Sequence, residues 1–217
     1  MNTKYYDVFI EILESENKDQ SLNYVLNLLD EKKITLEELY DEILAPSLTN
    51  FGCNLKDKEI CIWKEHTRTS IIRTILECTY PYIIQRRKTI SPVNKKVLLF
   101  TPTDEYHEIG AIISTNYFLL AGFEAQYIGA NTPKDDIISA VRSLNPDFVG
   151  ISVTNHYNLV ITKKITDELK ETFPKVSIIL GGQAFHNQNA LDSIKHDYIL
   201  YNANEIIDFG KKVAKWS

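Results

Sequence analysis

The 217-residue sequence has no run of about 18 apolar residues, the length a membrane-spanning helix needs, so no membrane segment is expected. It also has no surplus of positive charge. Lys and Arg number 24 against 29 Asp and Glu, a formal net charge of −5, which gives no general basic footprint for nucleic acid. Cysteine is scarce and unpaired in pattern: Cys53, Cys61 and Cys78 are odd in number and form no CxxC, so neither a disulfide framework nor a zinc site is signalled. Small, semi-buried core residues are the expectation for all three. The N-terminal stretch MNTKYYDVFIEILESE is too acidic and too interrupted for a signal peptide, and a cytoplasmic location is expected. Internal repeats and low-complexity tracts are absent too.

What is present falls into two parts. Residues 1–90 read as a helical bundle. Tyr5 to Glu14 and Ser21 to Leu29 each space their apolar residues along one helical face. Thr35-Leu36-Glu37-Glu38 is a capping box that opens a third helix through Leu39, Ile43 and Leu44. Pro46 is expected to kink or break it. A longer fourth helix is predicted from about Cys61 to Tyr80, stopping near Pro81, with Trp63 in the bundle core. Thr89 to Asn94 reads as a linker.

From residue 95 to 217, strand and helix alternate. The predicted strands are Val97 to Thr101, Glu124 to Ile128, Phe148 to Val153, Val176 to Leu180 and Tyr198 to Tyr201. Val97 to Phe100 and Val176 to Leu180 are nearly continuous apolar runs, as strands covered on both faces require. Thr132-Pro133-Lys134-Asp135-Asp136 is read as a helix start with a threonine cap, a first-turn proline and acids at the positive dipole end. The fold class that follows is α/β: an N-terminal four-helix bundle, then a flavodoxin-like, doubly wound, five-stranded parallel sheet.

Glu105-Tyr106-His107-Glu108-Ile109-Gly110 sits between the first of these strands and an apolar helix, Ala111 to Leu120. Ligands of open α/β sheets bind at that carboxyl edge. A neutral imidazole ligates a metal through one ring nitrogen, and the proton on the other needs a partner. The carboxylate of Glu105, two residues earlier, supplies one. Gly110 lets backbone approach a bulky ligand. Taken alone, the segment reads equally as a loop histidine near a helix start.

His107-x-x-Gly110 is followed after 41 intervening residues by Ser152-Val153-Thr154, and after 26 more by Gly181-Gly182. This resembles the DxHxxG, SxL, GG signature of cobalamin-binding proteins, a family that includes methionine synthase, corrinoid carriers, some mutases and cobalamin-dependent regulators. Glu105 stands for the aspartate and Thr154 for the leucine. The resemblance implies that adenosyl- or methylcobalamin binds with its own base displaced, and that His107 is the lower ligand of cobalt with Glu105 as its partner. Ser152 would bond the nucleotide tail, and Gly181 and Gly182 would leave it room. His156 is placed near the same groove, while His186 and His196 are expected at the surface.

Ile62-Trp63-Lys64-Glu65-His66 resembles the helical cap of the light-sensing and regulatory branch, where a tryptophan precedes Glu-His by nine residues. Here Leu55 takes the tryptophan position and Lys56 the one that can hold an upper-face histidine. Glu65 and His66 are then candidate contacts above the cofactor. The resemblance implies a cofactor or light sensor that is not itself an enzyme and acts through a protein partner or an oligomer, without direct contact to DNA. A corrinoid methyl carrier is the alternative; a mutase subunit and a flavodoxin-like domain with another ligand are further ones.

Overall fold

The computed structural model describes residues 3–50, 58–186 and 191–215. The chain divides into two compact units, Met1–Gln85 and Arg86–Ser217. Leu55, Lys56 and Cys53, to which expectations were attached, lie outside the described residues.

The first unit is built from α1 (Thr3–Glu14), α2 (Lys18–Asp30), a helical run in three parts and the long α5 (Lys58–Arg87). The run consists of α3 (Leu36–Glu38), a π-helix (Leu39–Leu44) and α4 (Ala45–Thr49). It opens on the predicted box: Glu38 N–H donates to Thr35 Oγ1 at 3.1 Å and Thr35 N–H to the Glu38 carboxylate at 2.7 Å. Pro46 does not break it. The turn ahead of the proline widens instead, and Ala45 N–H reaches back five residues to the Tyr40 carbonyl. Leu39, Tyr40, Ile43 and Leu44 are all buried on this segment.

Pro81 likewise fails to end α5, which continues to Arg87, a helix about 45 Å long. Burial explains the override. Ile72, Ile75, Leu76 and Ile83 lie on a helical spacing that continues through the proline, and each is fully or almost fully buried. Tyr40 and Thr79 share a buried hydrogen bond of 3.1 Å that ties the π-helix to α5. Trp63, expected in the core, is half exposed. Cys61 is disulfide-bonded, which the cysteine pattern did not signal, and Cys78 is a half-buried free thiol.

The second unit carries β1 (Lys96–Phe100), α6 (Ile109–Leu120), β2 (Glu124–Tyr127), α7 (Lys134–Leu144), β3 (Phe148–Ser152), α8 (Leu159–Thr172), β4 (Ser177–Gly181), β5 (Tyr198–Ile199) and α9 (Ala203–Val213). All strands pair in parallel, in the order β2-β1-β3-β4-β5, the flavodoxin-like arrangement expected from the sequence. Alternation divides the strand residues between two cores. Leu98, Phe100, Val149, Ile151, Ile178 and Leu180 pack with Ile137 and Val141 of α7 and Ile165 and Leu169 of α8. The opposite face holds an aromatic cluster in which Phe123 meets Phe118 of α6, Phe148 of β3 and Phe209 of α9, with centroids 5.4 to 5.9 Å apart.

The start of α7 differs from the expected cap. Pro133 occupies the cap position, and the Thr132 hydroxyl turns back to donate to the Gly129 carbonyl at 3.0 Å. Asp135 and Asp136 do fall in the first turn, where the dipole favours them. Among the described residues no helix is long and apolar enough to cross a membrane.

The continuity of α5 gives a test. Pro81→Ala restores a backbone donor and removes the ring's clash with the preceding turn. It should stabilise the helical unit by about 1–3 kcal/mol, read from urea denaturation. An unchanged midpoint would show that the helix has already relaxed around the proline.

Candidate functional site

The strand order reverses between β1 and β3, and the loops that leave these neighbouring strands meet at the carboxyl edge of the sheet. Glu105, in the loop after β1, is fully buried. A carboxylate out of water needs donors on both oxygens, and it has five. Oε1 accepts from the His107 backbone N–H at 3.2 Å and faces His107 Nδ1 at 2.5 Å. Oε2 accepts from the backbone N–H groups of Thr154 at 3.0 Å and Asn155 at 2.8 Å, and from Asn158 Nδ2 at 3.1 Å. Burial pushes the Glu105 carboxyl up, but the Asn155 N–H, the His107 ring, the Asn158 amide and the His107 N–H outweigh it. The group is held below the usual carboxylate range.

An ionised Glu105 accepts and cannot donate, so Nδ1 of His107 carries a ring proton, and in the neutral imidazole tautomer this selects, Nε2 holds the lone pair. The His107 side chain is 56% exposed, so that lone pair is open to a ligand. The extra methylene of glutamate, compared with aspartate, does not prevent the bond. It lets one carboxylate span the loops after β1 and β3. Thr154 contributes through its backbone N–H, which any residue except proline supplies, so the departure from leucine leaves this contact intact.

Gly110 opens α6, and a Cβ there would lie 4.0 Å from Ser152 Oγ, so both line one space that is otherwise free at that point. Ser152 ends β3 in register with Gly181 of β4. The glycine pair answers first to the chain's own backbone. A Cβ on Gly181 would come within 3.0 Å of the Leu200 carbonyl oxygen. Gly182 has φ +103°, and a Cβ there would come within 2.3 Å of the Val153 oxygen. The strand ends therefore require both glycines on backbone grounds alone, before any ligand arrives.

Glu65 and His66 are exposed residues of α5, in the helical unit. His156 opens a short 3-10 turn after β3 and is exposed. His186 is exposed and stacks on Tyr201, whereas His196 is half buried with Nδ1 against the Ile194 carbonyl.

Sequence reasoning missed Asn158 and Asn155. Asn158 is buried, and its amide donates both to Glu105 and to the Asp104 carbonyl at 3.2 Å. The polar run Thr154-Asn155-His156-Tyr157-Asn158 behind an apolar strand was the available signal. It also missed an exposed apolar rim on the two loops: Tyr106 is 68% exposed, Tyr157 90% and Val160, at the start of α8, 68%. Large apolar side chains left in water on the segments after β1 and β3 suit a broad ligand with an apolar face.

Among the described residues no cluster of three His, Cys, Asp or Glu could hold a bare metal ion. One imidazole with its second nitrogen tied suits a metal that brings its other ligands with it, as cobalt does in a corrin ring. The residues present therefore fit the group that the sequence resemblance implies.

A family model described as the B12 binding domain matches residues 95–207. The chain belongs to the B12-binding domain family. This B12-binding chain is 25% identical over 170 residues to the HTH-type transcriptional repressor CarH of Myxococcus xanthus, covering 77% of this chain and 55% of that protein. It is 31% identical over 115 residues to the dimethylamine corrinoid protein of Methanosarcina barkeri, covering 52% and 54% of the two. The chain thus spans about half the length of these curated relatives. Its fold is similar to that of the Methanosarcina barkeri monomethylamine corrinoid protein, with a TM-score of 0.78 and 16% identity over 98% of this chain and 100% of that one. The B12-binding domain is thus related both to regulators and to corrinoid carriers.

Two outcomes follow from the network. In Glu105→Gln the amide oxygen is drawn to the three donors from the loop after β3, which turns the NH2 group toward His107. The ring proton should move to Nε2, visible in imidazole nitrogen chemical shifts, and stability should fall by about 2–3 kcal/mol. A folded-state pKa below the ordinary value means that stabilisation is complete above the ordinary carboxylate range and is lost as pH falls through the lowered value. Acid unfolding of the wild type should contain this component and that of Glu105→Gln should lack it.

The second concerns Gly182. Gly182→Ala should cost about 2–4 kcal/mol in denaturant unfolding, because the backbone conformation and the Val153 carbonyl both oppose a side chain. A loss under about 0.5 kcal/mol, the range of ordinary surface changes, would mean that the turn relaxes freely.

Proposed function

We propose that this chain is a corrinoid carrier: it binds cobalamin with the cofactor's own base displaced and His107 as the lower cobalt ligand, and it passes a methyl group between partner proteins. The observation that carries the binding mode is the Glu105–His107 pair, a buried carboxylate facing Nδ1 at 2.5 Å beside an exposed Nε2. Bound cobalamin would supply a cobalt–carbon bond that can be made and broken.

The protein's own part is positional and electrostatic. Glu105 fixes the tautomer and raises the electron-donating power of Nε2. Tyr106 and Tyr157 can cover apolar ligand surface beside the imidazole. Gly110 and Ser152 border the space at the sheet edge, where the Ser152 hydroxyl is available to a polar tail.

Glu65 and His66, at the cap positions of the regulatory branch, point to a sensor. The matched relatives favour the carrier, since the 31% identity over 115 residues is with a dimethylamine corrinoid protein. A sensor is the second reading, favoured by the 170-residue alignment with a transcriptional repressor. In either case a protein partner is part of the proposal.

Wild-type protein loaded with methylcobalamin should show the absorption of an imidazole-ligated cobalt, and His107→Ala the base-off spectrum. Identical spectra would end the His107 assignment. Illumination of the adenosylcobalamin-loaded protein, followed by size-exclusion chromatography, separates the two roles. A carrier should keep its oligomeric state, and a light-driven change would favour the sensor.

A further inference from the structure

Glu105 stands at the end of a tight turn. Its N–H donates to the Pro102 carbonyl at 3.0 Å, and Asp104, the residue before it, adopts φ +65°. That conformation is disfavoured for a residue with a side chain. Two asparagines from two other loops hold the Asp104 main chain in it. Asn131, between β2 and α7, accepts the Asp104 N–H on Oδ1 at 2.8 Å, and Asn158 donates to the Asp104 carbonyl at 3.2 Å.

Asn131 is more than one acceptor. Its own N–H is shared between the Glu105 carbonyl at 3.0 Å and Thr101 Oγ1 at 3.1 Å, and the Thr101 hydroxyl donates to that same Glu105 carbonyl at 2.6 Å. Around it, Thr101 N–H donates to the Gly129 carbonyl at 3.1 Å and Thr132 N–H to the Thr101 carbonyl at 3.0 Å. Asn131 has φ +50°, a conformation that asparagine tolerates better than most residues. The loop after β2 is therefore zipped onto the turn that aims Glu105.

We propose that Asn131 is a positioning residue for His107: by bonding both main-chain ends of the Asp104–Glu105 unit, it fixes the direction of the Glu105 carboxylate and through it the tautomer and orientation of the imidazole. This rests on the reading that His107 ligates cobalt. A site residue held through its supporting loop loses function when that loop slackens, although no contact to the ligand is removed.

The test uses the full chain and the variants Asn131→Gly, Asn131→Asp and His107→Ala. Glycine accepts φ +50° and keeps the backbone N–H, so Asn131→Gly removes the side-chain acceptor with the fold retained. Asn131→Asp restores an acceptor oxygen. In unloaded protein, imidazole nitrogen shifts should report a proton on Nδ1 of His107 in the wild type, a tautomer average in Asn131→Gly and a return toward the wild type in Asn131→Asp. Methylcobalamin titration should show affinity about fivefold weaker for Asn131→Gly, the effect of one neutral hydrogen bond, with most of it recovered in Asn131→Asp.

Asn131→Gly matching the wild type in both measurements would overturn the proposal. So would Asn131→Asp as weak as Asn131→Gly, because the acceptor would then not be what matters. If His107→Ala binds methylcobalamin with an unchanged spectrum, the ligand reading falls, while the tautomer comparison, which needs no cofactor, still decides the role of Asn131.

Discussion

The buried carboxylate of Glu105 is the constraint on which the rest of the site depends. An ionised group with no solvent exposure is tolerable only when donors reach both oxygens. Here they come from three places: the residue two positions on, the Thr154 and Asn155 backbone N–H groups after β3, and the Asn158 amide. Removing any of these leaves charge unmet, so the loops after β1 and β3 hold each other in place. His107 takes its tautomer and its outward nitrogen from the same arrangement. One carboxylate thus closes a loop, selects a proton position and exposes a ligand atom.

The sheet explains why those two loops meet. β1 and β3 are hydrogen-bonded neighbours in parallel, yet the helices that follow them pack on opposite faces, α6 beside the aromatic cluster and α8 on the aliphatic core. Glu105 ties their loops together just beyond the strand ends. A Cβ on Gly110 would lie 4.0 Å from Ser152 Oγ, and the tight approach of Gly182 to Val153 completes the adjoining strand end. The loop after β2 joins from the other side through Asn131, so three successive loops converge on one turn.

The helical unit shows a different balance. Both prolines that should interrupt it are absorbed, Pro46 by a widened π turn and Pro81 within a helix whose buried stripe runs past it. Local propensity opposes each by about 3 kcal/mol at most. Burying Ile83 beyond Pro81, or Leu39 and Ile43 ahead of Pro46, removes several apolar side chains from water at about 1.5–3 kcal/mol each. Packing wins because its contributions add along a face, while the penalty is paid at one residue.

By itself the sequence determined the order of elements, the parallel sheet, the capping box at Thr35 and the pairing of Glu105 with His107. Each rests on periodicity or on residues close along the chain, where spacing alone brings groups together. Only the tertiary structure decided the rest. Asn158 reaches Glu105 across 53 positions and Asn131 reaches Asp104 across 27, distances over which a sequence carries no register. The same limit hid the backbone reason for the glycine pair, since its close neighbours are Val153, just past β3, and Leu200, just past β5. It hid the fate of both prolines too, because burial on a distant partner outweighed a preference written in one residue.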